Sequence, residues 1–167
     1  MRSFNTQLEK ALPDLWRYAC SLTRDRDAAD DLVQDCIERA LRKRLLWMPG
    51  RPLKPWLTKI MLNLYRDRWR SSARFPTTSL DFIDEIAAPN TDPITRLELR
   101  DIWRRLETIP AEQSQALLAV VVGGLSYDEA AWSLGIPRGT LMSRIARARS
   151  KLKTDPDLSS HSLRSVK

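Results

Sequence analysis

The 167-residue sequence is poor in the residues that most often do chemistry. It has one histidine, His161 in a Ser-rich stretch, and two cysteines, Cys20 and Cys36. The thiols lack the short spacing of a zinc site, and the histidine has no neighbouring partner for acid–base work. Buried, unbridged thiols are the expectation for both cysteines. No apolar run approaches the roughly 20 residues of a membrane helix. The opening MRSFNTQLEKALPDLW carries charges where a signal peptide needs its apolar centre. No P-loop or dinucleotide fingerprint occurs, so no cofactor is expected. These absences point to a cytoplasmic protein that is not an enzyme and is not inserted in a membrane.

Positive charge is plentiful by contrast. The chain carries 28 Lys and Arg against 21 Asp and Glu, a net charge of +7, which favours a polyanionic partner. The distribution says more than the total. Residues 1–74 hold 16 basic against 9 acidic side chains, residues 75–98 one against five, and residues 99–153 nine against five. Two basic blocks are thus joined by an acidic segment.

Hydrophobic periodicity fills both blocks. Leu8, Ala11, Leu12, Leu15, Trp16, Ala19 and Cys20 predict an amphipathic helix over about residues 5–22. Asp25 or Asp27 can cap the next helix, in which positions 29, 32, 33, 36, 37, 40 and 41 keep the same period. Its acids come early and Arg42, Lys43 and Arg44 come late, the order a helix dipole favours. WMPGRP at 47–52 is a loop by its Pro and Gly content. Leu53, Trp56, Leu57, Ile60, Met61 and Leu64 predict a third helix, reaching about Arg70. Periodicity fails from Ser71 to Pro93, which holds three prolines and four acids, and resumes over Ile94–Glu107. Pro110 and Glu112 then suit a helix start. No strand-like alternation of any length is present. The expected fold class is all-α, with two small helical domains, 1–74 and 94–153. A flexible acidic linker at 75–93 joins them, and a tail at 154–167 follows.

The stretch from Ser126 to Leu152 is the most strongly patterned. Ser126 with Glu129 three residues on matches a capping box. Tyr127, Ala130, Ala131 and Leu134 share an inner face, Gly135 ends that helix, and Pro137 can open the next. In the second helix Leu141, Ile145, Ala148 and Leu152 form the inner stripe. Arg138, Thr140, Met142, Ser143, Ala146, Arg147, Arg149 and Lys151 are left outside. This is the helix-turn-helix pattern, whose second helix enters a major groove. Periodicity alone also allows a solvated basic helix in an ordinary bundle. The small Ser143 and Ala146, with no acid between Glu129 and Asp155, favour DNA.

At this point the residues resemble a known family. IPAEQSQALLAVVVGGLSYDEAAWSLGIPRGTLMSRIARARSKL is similar to region 4 of extracytoplasmic-function (ECF, group IV) sigma factors of the sigma-70 family. LWRYACSLTRDRDAADDLVQDCIERAL and PWLTKIMLNLYRDRWR resemble their region 2, the latter at Trp56, Leu57, Ile60, Asn63, Asp67 and Arg70. The resemblance implies a factor that binds core RNA polymerase, directs promoter-specific initiation and is held inactive by an anti-sigma factor. It implies that Arg138, Thr140, Met142, Ser143, Arg144, Ala146, Arg147, Arg149 and Lys151 face the duplex −35 element. It further implies that Trp47, Arg51, Lys54, Lys59, Asn63, Arg66 and Arg70 hold the single-stranded −10 element, with the 47–54 loop capturing a flipped base. Asp31, Gln34, Asp35, Glu38 and Arg42 are implied to meet core polymerase.

Three positions depart from the family pattern: Ser114 for the usual Arg, Ala130 for Ile, and Met142 for Lys or Arg. The first two read as packing variations, whereas Met142 favours a thymine methyl over a guanine or a phosphate. Three alternatives stand beside this expectation. One is a sigma-like decoy that binds an anti-sigma factor without promoter activity, although such decoys normally carry an attached receiver domain. The others are a metal-dependent nuclease built on Asp30, Asp31 and Asp35, and a helix-turn-helix repressor, which leaves residues 1–74 unexplained.

Overall fold

The structure, a computed structural model, describes residues 2–71, 83–84, 87 and 89–153. Most of the expected linker and all of the expected tail lie outside the described residues. The fold is all-α, and no strand occurs among the described residues.

Helices α1 (Arg2–Thr23), α2 (Arg26–Arg42) and α3 (Leu53–Ser71) pack against one another in the first half. Their shared core is built on Leu15, Tyr18, Ala19, Leu32, Cys36, Leu57 and Met61. The apolar periodicity of each helix gives this outcome, because each presents one stripe and the three stripes meet. Of the two candidate caps, Asp25 is the one used, its carboxylate accepting from the Ala28 N–H at 2.8 Å. A short 3-10 turn at Arg44–Leu46 ends this part of the chain before the loop. Both cysteines are buried and unbridged, as their composition suggested. The Cys36 thiol donates to the Leu57 carbonyl at 3.3 Å, and burial pushes its pKa up to about 12.

The second half comprises α4 (Pro93–Glu107), α5 (Ala111–Val121), α6 (Tyr127–Leu134) and α7 (Arg138–Lys153). Asp92 caps α4 by accepting from the Thr95 N–H at 3.0 Å and its hydroxyl at 2.6 Å, which holds the Asp92 carboxyl below its ordinary range. The expected capping box is present: the Glu129 N–H donates to the Ser126 hydroxyl, and the Ser126 N–H to the Glu129 carboxylate. Ser114, where the family favours Arg, is buried, with its hydroxyl bonded to the Ala111 carbonyl at 3.1 Å. Within the expected linker, Ile83 is buried and Asp84 is held by Arg96 at 3.3 Å and Arg100 at 3.2 Å.

The two halves touch. Helix α6 lies against α3, and α5 against α1. Across the first contact the buried Ser133 hydroxyl donates to the Pro55 carbonyl at 2.9 Å, and the Lys59 ammonium sits 4.4 Å from the centre of the Trp132 ring. Beside the second, Arg24 pairs with Glu107 at 3.2 Å.

Two glycines of the helix-turn-helix should respond to alanine with opposite sign. Gly135 closes α6 at φ +69°, a left-handed conformation that a Cβ strains. Gly139 lies in the first turn of α7 with open space around it. In urea denaturation, Gly135→Ala should cost about 1 kcal/mol. Gly139→Ala should stabilise by up to about 1 kcal/mol, through the reduced freedom of the unfolded chain.

Candidate nucleic-acid interface

Helix α7 presents the face its sequence pattern predicts. Leu141, Ile145 and Ala148 are buried and Leu152 is half-buried against α4 and α5. Arg138, Met142, Ser143, Ala146, Arg147, Arg149 and Lys151 are exposed, with Thr140 half-buried. Among the described residues no ion pair engages Arg147, Arg149 or Lys151, so their charges face solvent. Two other arginines of the helix are differently placed. Arg138 pairs with Asp128 at 3.3 Å in a wholly surface contact. The Arg144 side chain is only 22% exposed and reaches Glu112 on α5 at 3.1 Å. Arg144 therefore braces α7 against α5 rather than projecting with its neighbours. Met142 is 47% exposed in the middle of the basic face, an apolar group of the kind that can contact a thymine methyl.

The residues expected on the −10 side gather along α3 and the loop before it. Lys59, Asn63, Arg66 and Arg70 follow i, i+4, i+7, i+11, one face of a helix. Asn63 is exposed and Arg66 half-buried; the Arg70 side chain lies outside the described ones. Lys54 is partly covered and pairs with Asp14 of α1 at 2.9 Å, while Arg51 is exposed in the loop. Gly50 turns that loop at φ +91° with nothing near it.

Trp47 departs from the expectation of an open stacking platform. It is 8% exposed, its ring edge-on to Phe4 with centroids 5.5 Å apart, and Phe4 in turn meets Trp56 at 6.4 Å. Aromatic rings bury large apolar area, and Phe4 at the start of α1 supplies a seat for this one. The exposed side chains of the segment are instead Leu45, Leu46 and Met48. Between this segment and α6 lies a cavity of about 320 Å³ walled chiefly by Trp47, Pro52, Pro55, Trp56 and Trp132.

On α2, Asp31 and Gln34 are exposed and Glu38 pairs with Arg42 one turn on. Asp35 reaches across to Arg68 of α3. Beside these polar groups runs a groove of about 500 Å³ floored by Trp16, Val33, Ile37 and Leu41. Trp16 is fixed there by its indole N–H, which donates to Asp30 at 2.7 Å. The sequence showed Ile37 and Leu41 as helical apolar positions, with no sign that they border an open groove.

Comparison with known proteins is consistent across sequence and structure. Residues 8–62 match the family model described as the Sigma2 domain of PhyR, and residues 99–152 match Sigma-70, region 4. The ECF RNA polymerase sigma factor EcfG of Rhodopseudomonas palustris (strain TIE-1) is 35% identical over 150 residues, spanning 90% of this chain and 83% of that one. The chain belongs to the ECF RNA polymerase sigma factors. Family members initiate transcription and are not enzymes. Two solved structures share the fold of this sigma factor. The sigma factor RpoE of Bartonella quintana, in complex with the anti-sigma factor NepR, aligns with a TM-score of 0.73 at 31% identity, over 91% of this chain and 95% of that one. CnrH, in complex with the cytosolic domain of CnrY, aligns with a TM-score of 0.69 at 27% identity, over 95% and 90%. Among the described residues no helix of this sigma factor is long and apolar enough to cross a membrane.

The placement of Trp47 is directly testable. As a core aromatic, Trp47→Ala should destabilise the sigma factor by about 3–5 kcal/mol. Met48→Ala, at an exposed neighbour, should stay within about 0.5 kcal/mol of the parent. Equal, small effects in urea denaturation would return Trp47 to the surface.

Proposed function

We propose that this sigma factor works in the cytoplasm as the promoter-specificity subunit of RNA polymerase, under the control of an anti-sigma factor. Residues 1–74 form its region 2 and residues 94–153 its region 4, with residues 75–93 linking them. Helix α7 reads the duplex −35 element. The exposed edge of α3, centred on Asn63, holds the unpaired −10 strand together with Arg51, Lys54, Lys59, Arg66 and Arg70. The face of α2, from Asp31 to Arg42, meets core polymerase alongside the groove floored by Ile37 and Leu41. An acidic face on a basic protein suits a basic helical partner and keeps it apart from the DNA-facing sides.

The observation that carries this reading is the outer face of α7. Three cations with no ion-pair partner among the described residues flank the small Ser143 and Ala146, which allow close approach to base edges. Run-off transcription with bacterial core enzyme on a promoter library is the deciding experiment, and promoter-specific transcripts that core alone cannot make are expected. A decoy role has one observation in its favour, the match of residues 8–62 to the Sigma2 domain of PhyR. Tight anti-sigma binding with no transcript from any promoter would select that role.

Substitutions should separate these roles. Arg147→Ala or Arg149→Ala should weaken −35 duplex binding and reduce the log–log salt slope by about one unit for each phosphate no longer neutralised. Met142→Arg should change base preference at one position with the salt slope steeper rather than flatter. Asn63→Ala should spare duplex binding and polymerase binding but reduce open-complex formation, read as lower permanganate reactivity of −10 thymines. The amide of Asn63 both donates and accepts, so alanine removes both kinds of bond to an extruded base.

A further inference from the structure

An acid stands beside the DNA-facing helix. Thr140, Arg144, Arg147 and Lys151 follow i, i+4, i+7, i+11 on α7, so they form one row along it. The row borders the inner stripe of Leu141, Ile145, Ala148 and Leu152, which packs against α4 and α5. Arg147 and Lys151 are exposed and carry no ion pair among the described residues. Arg144 instead bonds to Glu112 of α5 at 3.1 Å, so one cation of the row is already neutralised. The two partners are unequally covered, Arg144 being 22% exposed and Glu112 74%. The arginine is thus held by its surroundings, and the carboxylate is the member free to leave. Glu112 lies in the first turn of α5, whose N-cap, Pro110, makes no side-chain bond, so the positive end of that helix favours an acid there. A carboxylate at this flank repels an approaching phosphate and cancels the cation that would attract it.

We propose that Glu112 is a positioning residue that sharpens −35 specificity: it withholds Arg144 from arbitrary duplex and yields it to a phosphate once α7 is seated in a matching groove. The inference rests on the assignment of α7 to the −35 duplex given above. Loose, sequence-independent complexes draw on exposed cations, and Arg147, Arg149 and Lys151 supply those. In a seated complex the phosphates stand at fixed places along the helix, and one brought to the row displaces the carboxylate. A guanidinium offers phosphate the same fork that it offers a carboxylate, so the exchange leaves Arg144 in place. The released Glu112 side chain turns into solvent, where most of it already lies. Because only the seated complex gains this bond, the pair lowers affinity for arbitrary duplex more than for the −35 element. The ratio of the two affinities is what counts against the excess of non-specific sites in a genome.

The test follows fluorescence anisotropy of two fluorescein-labelled duplexes with the full chain across a salt series. One duplex holds the −35 element of a transcribed promoter and the other a scrambled sequence. Glu112→Gln should raise affinity for the scrambled duplex about 3- to 10-fold at about 0.1 M salt, with a log–log slope steeper by about one unit. Its −35 slope should stay as in the parent, so the ratio of the two affinities falls. The double variant Glu112→Gln with Arg144→Gln is neutral at both positions, as the ion pair is. It should match the parent on the scrambled duplex and show a −35 slope flatter by about one unit. Glu9→Gln, which removes an exposed acid from α1, should leave both slopes unchanged. An unchanged scrambled-duplex slope in Glu112→Gln overturns the withholding of Arg144. An unchanged −35 slope in the double variant overturns its transfer to a phosphate. Should the double variant fail to fold, as judged by circular dichroism, Glu112→Gln decides alone, and a −35 slope steepened as much as the scrambled one then overturns the transfer. Arg147→Ala separates the two failures. No flattening of the −35 slope there counts against the α7 assignment, whereas flattening there with no response to Glu112→Gln rejects the role of Glu112 only.

Discussion

Eight residues of helix cannot hold themselves together in water, because nucleation costs more than so few hydrogen bonds return. Helix α6 has that length, and the geometry of the whole second half depends on its being formed. Both of its ends are closed, by the Ser126–Glu129 box and by Gly135 in the left-handed region. Ala130, Ala131 and Leu134 are buried, while Ser133 and Trp132 turn toward α3. The exit of α7 then follows. The Ile136 N–H bonds back to the Ala131 carbonyl at 3.0 Å, Pro137 supplies a fixed φ, and the Leu141 N–H bonds to the Pro137 carbonyl, also at 3.0 Å. The direction in which Arg147 and Arg149 point is thus set by the closure of a helix that contains neither.

The net charge of +7 looks like a diffuse attraction for polyanions, but the fold concentrates it. Many cations are occupied within the protein: Lys54 with Asp14, Arg68 with Asp35, Arg144 with Glu112, and Arg96 and Arg100 with Asp84. Pairs at the surface are worth about 0–1 kcal/mol each, so they fix side-chain positions more than they stabilise the fold. Their larger effect is subtractive, because they remove charge from surfaces where non-specific DNA binding would be a cost. The outer face of α7 keeps exposed cations that no described acid engages, and the Arg138–Asp128 pair beside it is open enough to exchange its carboxylate for a phosphate.

Most of the architecture is legible in the sequence because it is written in short-range signals. The stripes of α1, α2, α3 and α7, the capping box and the Gly135 turn each depend on residues within a turn or two of one another. Trp47 misleads for the opposite reason. A tryptophan in a Pro- and Gly-containing loop looks available, and its burial is decided by Phe4, which lies 43 positions earlier and reaches it only through the tertiary fold. Arg144 is a milder case, since its helical position suits the outer face while Glu112 on another helix draws it sideways. The joint between the halves has no local signal at all. Lys59 and Trp132 are each acceptable to water as single side chains, and nothing in their own sequence neighbourhoods marks them as partners.

That joint also connects the two halves of a small all-α frame. Its polar parts are a hydrogen bond worth about 1 kcal/mol net, a cation–π contact worth about 0.5–1 kcal/mol at a partly exposed site, and a surface ion pair worth no more. Truncating one core side chain within either half costs about 2–5 kcal/mol, as much as all three together. Each half keeps its own stripe buried, and the contact between them also buries Ser133 and Pro55, so burial adds to what the polar groups of the joint contribute.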